Sequence, residues 1–300
     1  GRKGSTDEGG VRSPMIINWP GKIPQGKIVK EIASGIDLLP TSKDLTGITS
    51  QAKKPLDGIS LEPLIMQENP IWEDRYIYNY WKGKLSLRNQ HYRLDHQGQL
   101  FDMVNDPNQT KDIGEKKPQV LTALNKAKEQ WEQEVLVELP IKDNRPFYIG
   151  HPSLHTTQVP ARDGIPSGEI KRSNRYPNCT YFTHWINPED TITWEAEVAQ
   201  DGDFEITVYY SCAEDAIGSL FEVSFGDASI QGEIKEVHNP NEYGAAEDRV
   251  LRQESYVKDF KPLKIGTLKL KKGKGTLKIK GIEKKGRALM DFRLMLLKRI

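Results

Sequence analysis

Within the first fourteen residues, Lys3-Gly4-Ser5-Thr6-Asp7-Glu8-Gly9-Gly10-Val11-Arg12-Ser13-Pro14 sets a lysine and an arginine beside two acids on a glycine-rich backbone. Glycine lets the main chain approach a ligand closely, so such a loop can bring an ammonium and N–H donors to an oxyanion. The chemistry would be charge stabilisation by Lys3. Glu8 and Arg12 would hold the loop, paired with each other or with main chain. The same ingredients also make an ordinary solvated turn with a surface lysine, and the residues alone leave both readings open.

Other candidates are more scattered. Arg88, His91 and Arg93 lie on an expected small sheet and could meet an anionic sugar, although alternation places the two arginines on opposite faces. Trp185, Trp194, Tyr181, Phe182, Tyr209 and Tyr210 offer aromatic faces suited to pyranose rings. Alternation turns Trp194 and Tyr210 towards an apolar face, which leaves Trp185 and Tyr209 for binding. The lysines from 269 to 285 either meet a sulfated polymer or guard β edges. His151, His155 and His184 are too far apart to propose a metal site, and no His/Asp/Glu cluster has ligand spacing. Cys179 and Cys212 either form one bridge or stay as two buried thiols.

The elements that must position these residues change character along the chain. Of 300 residues, 36% are hydrophobic and 28% charged, with a net charge of +1, so nothing global favours nucleic acid or an anionic membrane. No apolar run approaches the roughly 18 residues of a membrane span. The opening residues have no apolar leader and no Met precedes Met15, so the chain is expected to be a fragment or a processed piece. Met15 to Trp19 reads as a short strand stopped by Pro20-Gly21. Ile36 to Leu45 reads as a helix with Asp37 as N-cap and Leu38, Leu39 and Leu45 towards the core. Tyr76 to Met103 suggests a small antiparallel meander broken at Gly83, Asn89 and Gly98. Pro118 to Val137 is an amphipathic helix with Val120, Leu124, Ala127, Trp131 and Val135 on one stripe.

From Ile192 onward the period is two. Ile192, Trp194, Ala196 and Val198 alternate with Thr and Glu, and Phe204, Ile206, Val208 and Tyr210 repeat the pattern. Short alternating strands with Gly-rich turns argue for a β-sandwich. The expected organisation is therefore an α+β portion over 1–140 and an all-β sandwich over 141–300. The first holds a small antiparallel sheet, an amphipathic helix and a piece of an α/β core.

The run from Lys3 through Glu8-Gly9-Gly10-Val11-Arg12 to Pro14 is followed by Trp19-Pro20-Gly21 and Ile36-Asp37-Leu38-Leu39-Pro40-Thr41. Leu56-Asp57-Gly58-Ile59-Ser60-Leu61 and Leu100-Phe101-Asp102-Met103 with Asp106-Pro107 come next. In content and order these motifs resemble the formylglycine-dependent sulfatases of the alkaline-phosphatase-like superfamily. The resemblance implies sulfuric-ester hydrolysis of an arylsulfatase-like kind, with Lys3 contacting the substrate sulfate.

It also implies a formylglycine made within Cys/Ser-x-Pro/Ala-x-Arg, and neither Cys179-Thr180-Tyr181-Phe182-Thr183 nor Cys212-Ala213-Glu214-Asp215-Ala216 fits. The calcium cofactor of that family would be held by acidic residues upstream of Lys3. The catalytic N-terminal half is then missing, and this chain alone is expected to be inactive. The partner would be a sulfated carbohydrate or another sulfate ester, and the compartment periplasmic or extracellular. Residues from about 146 resemble the β-sandwich appendages of some polysaccharide-targeting bacterial sulfatases. The alternative is a non-catalytic carbohydrate-binding or scaffold protein.

Overall fold

The computed structural model describes residues 2–49, 54–140 and 142–300. It divides into two units, Gly1–Lys142 and Asp143–Ile300. Ile141, at the expected boundary, lies outside the described residues.

The first unit opens with a single helical turn, α1 (Glu8–Val11), followed by α2 (Leu38–Thr46) and α3 (Glu62–Met66). Met15 to Trp19 forms no strand; it is exposed irregular chain, with Ile16 at 92% exposure. No ladder among the described residues pairs with it, and Met15, Ile16, Ile17 and Trp19 are each at least 40% exposed. The helix after Ile36 is present, but its orientation differs from expectation. Leu38 and Leu39 are 50% and 60% exposed, whereas Asp37, Pro40 and Thr41 are buried. The reason is polar: Asp37 is anchored to three other segments, and the helix turns its Asp37–Thr41 side inward to keep those bonds.

Lys82 and Gly83 both adopt the left-handed backbone that a two-residue hairpin requires. They join β1 (Ile77–Trp81) to β2 (Lys84–Arg88), with Trp81 opposite Lys84 and Ile77 opposite Arg88. Strands β3 (Tyr92–Leu94) and β4 (Leu100–Asp102) complete a four-stranded antiparallel meander. Helix α4 (Pro118–Val135) covers it. Leu124 joins Leu87, Leu94 and Leu100 in a fully buried cluster. Trp131 stacks on Tyr78 with ring centroids 5.1 Å apart. The stripe loses its cover at its C-terminal end, where Val135 is exposed.

The second unit carries twelve strands. Five short ones come first: β5 (Phe147–Ile149), β6 (Thr156–Pro160), β7 (Ile165–Pro166), β8 (Lys171–Arg172) and β9 (Phe182–Thr183). The longer β10 (Thr191–Val198), β11 (Gly202–Ser211), β12 (Leu220–Phe225) and β13 (Ala228–Glu233) follow. β14 (Lys261–Leu270), β15 (Gly273–Glu283) and β16 (Asp291–Arg299) close the chain. One sheet has the order β13-β12-β15-β10-β5, with β7 also on β10; the other runs β14-β11-β16-β9-β8, with β6 on β16. All pairings are antiparallel except β5 with β10.

The inward faces of both sheets meet in one apolar cluster. Ile192, Trp194, Ala196 and Val198 from one sheet lie with Phe204, Ile206, Val208 and Tyr210 from the other. Trp194 and Phe292 touch across it, centroids 5.7 Å apart. Each such burial contributes about 1.5–3 kcal/mol before conformational entropy is charged against it. The all-β reading of this unit and the α+β reading of the first both hold.

Candidate functional site

Lys3 sits at the corner of a tight turn. The N–H of Ser5 donates to the carbonyl of Arg2 at 2.9 Å, and Gly4 takes φ +86°. A positive φ at the third turn position is what a type II turn demands, and glycine meets it without strain. α1 then folds back on this turn. A Cβ on Gly10 would stand 2.2 Å from the Ser5 carbonyl oxygen and 2.7 Å from that of Arg2. No side chain fits there. Gly10 is thus a packing requirement that presses α1 against the Lys3 turn, rather than a source of looseness near a ligand.

The turn is held from beneath by the meander. The Thr6 carbonyl accepts from Ser86 Oγ and from Arg93 Nη1, both at 2.7 Å. The Glu8 carboxylate accepts from Arg93 Nη2 at 2.8 Å and from Arg88 Nη1. The Glu8 N–H donates to Gln109 Oε1 at 2.9 Å. Ser86, Arg93, Thr6 and Glu8 are all buried. Burial alone would raise the Glu8 pKa, yet the charges of Arg88 and Arg93 and their hydrogen bonds hold it below the ordinary value. Burial also lowers the Arg93 pKa, with the Glu8 charge working against it.

These contacts correct two expectations and locate a third residue. Glu8 pairs with Arg88 and Arg93 and not with Arg12, which is exposed. Arg88 and Arg93 face each other in register across β2 and β3, so they share a face instead of lying on opposite ones. Alternation counted straight from 88 to 93 runs through the turn expected at Asn89, and that turn resets the face. Arg88, expected to meet an anionic sugar, spends its guanidinium on Glu8 and on the carbonyls of Asn89 and Gln90. His91 is exposed and lines a separate cleft of about 240 Å³ with Trp72, Asp74 and Arg75. Lys3 is exposed, at the rim of the clamp.

A second polar hub lies at Asp37, which sequence reading took for a helix cap. Its carboxylate accepts from the N–H groups of Ser34 (2.7 Å) and Ile59 (3.0 Å) and from both terminal nitrogens of Arg75. Burial opposes the charge, but these donors keep its pKa below the ordinary value. Thr41 Oγ1 donates to the Asp37 carbonyl at 2.6 Å and accepts from the Leu61 N–H at 2.8 Å. The hub ties the Ile36–Thr41 and Leu56–Leu61 motifs into one piece. A Cβ on Gly58 would lie 2.1 Å from the Ile36 carbonyl oxygen, which explains that glycine. The signal available in sequence was Asp37 itself; its partners lie 22 and 38 residues away.

Among the described residues one group has metal-ligand spacing, Asp7, Asp95 and His96, with atoms within 4.8 Å of one another. Calcium takes ~6–8 oxygen ligands. This group offers two carboxylates and an imidazole nitrogen, and Asp95 Oδ1 already accepts from the N–H groups of Gln97 and Gln99. These residues do not fit a calcium ion. Both cysteines are free. Cys212 is buried, and burial pushes its thiol pKa up, away from nucleophilic use. Cys179 is half-buried.

In the second unit Trp185, expected as a stacking surface, is fully buried in the sandwich core. It lies in irregular chain between β9 and β10, where no alternation predicts its direction. Tyr209 is half-buried on the outer side of β11, beside Pro262 and Leu294. Trp194 and Tyr210 are buried as alternation requires. Four of the eight lysines from 269 to 285 are paired with acids: Lys271 with Asp201, Lys280 with Glu189, Lys274 with Glu197 and Lys285 with Glu283. Such pairing thins the positive field a polyanion would feel.

Residues 3–135 match the family described as N-sulphoglucosamine sulphohydrolase, C-terminal. The chain is 39% identical over 74 residues to N-acetylgalactosamine-6-sulfatase of Sus scrofa, covering 23% of this chain and 14% of that one. It is 48% identical over 67 residues to arylsulfatase A of Bos taurus (21% and 12%), and 35% identical over 86 residues to steryl-sulfatase of Rattus norvegicus (29% and 15%). It thus spans at most 15% of the length of these relatives. Among solved structures, a family 35 carbohydrate binding module from Clostridium thermocellum aligns at a TM-score of 0.36 and 11% identity, over 47% of this chain and 98% of that one. That likeness is too slight to carry weight. Residues 3–135, which carry the clamped Lys3 loop, are thus similar to the C-terminal region of sulfatases.

Proposed function

We propose that this chain is the C-terminal part of a sulfatase that hydrolyses sulfate esters of a carbohydrate, with Lys3 contacting the transferring sulfate. The observation that carries this reading is the Lys3 turn itself. A lysine at the corner of a type II turn is fixed through Thr6 and Glu8 onto a buried arginine. Transition-state charge develops on the sulfuryl oxygens, and an ammonium already in position stabilises it without reorganising. A flexible surface lysine would need no such support. A sugar as leaving group is favoured by the name of one relative, N-acetylgalactosamine-6-sulfatase.

The nucleophile and the calcium ligands would belong to a preceding half of the same protein. Neither cysteine of this chain has a suitable neighbourhood, and Asp7, Asp95 and His96 do not suit calcium. Exposed apolar residues support a further piece of protein over the first unit. Met15, Ile16, Ile28, Leu38, Leu39 and Ile48 are all exposed, and several of them border an apolar cleft of about 1080 Å³. Patches of this kind on a folded protein normally meet a partner. Without that half the chain should not turn over substrate, and the working compartment would be periplasmic or extracellular. No helix among the described residues is long and apolar enough to cross a membrane.

The test is Lys3→Ala in the complete protein. A loss of about 10²-fold or more in kcat/KM is expected for removing one transition-state charge contact. Near-normal kinetics in a stable variant would return Lys3 to the surface lysines and favour a scaffold.

A further inference from the structure

The contacts that hold the Lys3 loop follow the pleat of the β1–β2 hairpin. Arg88 meets Glu8, and Ser86, two residues nearer the tip, meets Thr6. The next register pair on the same face is Trp81 with Lys84. Trp81 stands at Gly4: a Cβ on Gly4 would lie 3.9 Å from the indole Nε1. Alternate loop residues 4, 6 and 8 thus track alternate positions of one sheet face, from tip to base. The hairpin tip and the Lys3 turn are one assembly.

Trp81 is 52% exposed although it belongs to a tightly turned hairpin. The exposed part of a tryptophan gains nothing for stability by facing water. The Lys82 ammonium lies 5.7 Å from its ring centroid, which adds positive charge at the same edge. Lys3, the neighbour of Gly4 along the chain, is the proposed sulfate contact. A group esterified to a sulfate at Lys3 must leave the turn across nearby surface, and the indole is the flat apolar surface beside that turn.

We propose that Trp81 is a specificity-determining residue, a stacking wall for the ring that carries the sulfate ester. Its ligand class is a flat-faced ring, either the C–H face of a pyranose or an aryl ring, since both pack on indole through dispersion and the ring quadrupole. The inference rests on the reading of Lys3 given above. Open-chain alkyl sulfates present no such face and would be bound through the sulfate alone.

The experiment uses the complete protein as wild type, Trp81→Ala, Trp81→Phe and Lys3→Ala. Each is assayed on 4-nitrophenyl sulfate, a 6-sulfated N-acetylhexosamine and n-propyl sulfate. For Trp81→Ala, kcat/KM on at least one ring ester, divided by that on propyl sulfate, should fall about tenfold, mostly through KM. Trp81→Phe should recover most of the ratio. The two ring esters separate aryl from pyranose recognition. An unchanged ratio on both, or a loss in Trp81→Ala equal on all three esters, overturns the proposal. Failure of the Lys3 reading is a separate result: Lys3→Ala would then match wild type on every ester, whatever Trp81 does.

Discussion

Arg93 binds both the Thr6 carbonyl and the Glu8 carboxylate, so one buried guanidinium fixes the loop on either side of Asp7. The arrangement couples the stability of the meander to the placement of Lys3. Arg93→Met keeps the volume roughly but leaves the Thr6 carbonyl with Ser86 alone and Glu8 with Arg88 alone. Breaking a buried ion pair by removing one partner costs roughly 3–5 kcal/mol, and the low end is expected because Arg88 remains. Chemical denaturation of the chain should reveal the loss. In the double variant with Glu8→Gln the two losses should sum to less than their separate values, because both residues belong to one network.

Acid should find the same clamp. The Glu8 pKa is lower in the folded protein than its ordinary value, so the unfolded chain takes up its proton first. The stability it supplies is complete above the ordinary glutamate value, near about pH 4.3, and is lost as pH falls through the lower folded value. Asp37 has the same sign and adds to the effect in the same direction. Glu8→Gln should therefore flatten the acid limb of a stability–pH curve while lowering the plateau at neutral pH. A wild-type curve with no slope below about pH 4.3 would refute the assignment.

What could be read from the sequence divides along one physical line. The strands carrying Ile192 to Val198 and Phe204 to Tyr210 were legible because a one-sided strand writes its burial as alternation. Strands β7, β8 and β9 were not, since two residues cannot display a period. The loop that carries Lys3 was legible as a motif through the order of the motifs around it. Its support was hidden, because the partners of Glu8 lie 80 and 85 residues away and nothing local names them. Leu38 and Leu39 looked like core by composition alone. Their helix is oriented by the Asp37 hub, which outweighs the pull of two leucines on a short helix.

The packing of Gly10 against the Lys3 turn can be tested without touching any charged group. Gly10→Ala would drive a methyl into the Ser5 carbonyl oxygen, a backbone atom with no flexible end to move aside. The loop must shift, and overpacking of this kind costs about 1–3 kcal/mol. Gly35→Ala serves as the control, since an added Cβ there meets nothing within 4 Å. Thermal melts should separate the two clearly. On the role proposed for Lys3, activity of the complete protein should also fall in Gly10→Ala at temperatures where it stays folded, because Lys3 is displaced.

The second unit should fold by itself, because its two sheets supply both walls of a single apolar cluster drawn from residues 149–297. Expressed as residues 143–300, it should give a β-type far-UV spectrum and one cooperative melt. Trp185 then becomes a sharp probe. A stacking platform would tolerate truncation, whereas a core residue would not, and Trp185→Ala is expected to cost about 3–5 kcal/mol through the cavity it leaves. Tyr209, on the outer side of β11, should behave in the opposite way, with Tyr209→Ala changing the melt little. Titration with a sulfated glycan completes the comparison. If the module binds one, Tyr209→Ala should weaken binding and rising salt should weaken the charged part of it, since exposed charges are screened over about 8 Å at physiological ionic strength. A Trp185→Ala module that melts like wild type would mean that this indole is not the core residue its burial makes it.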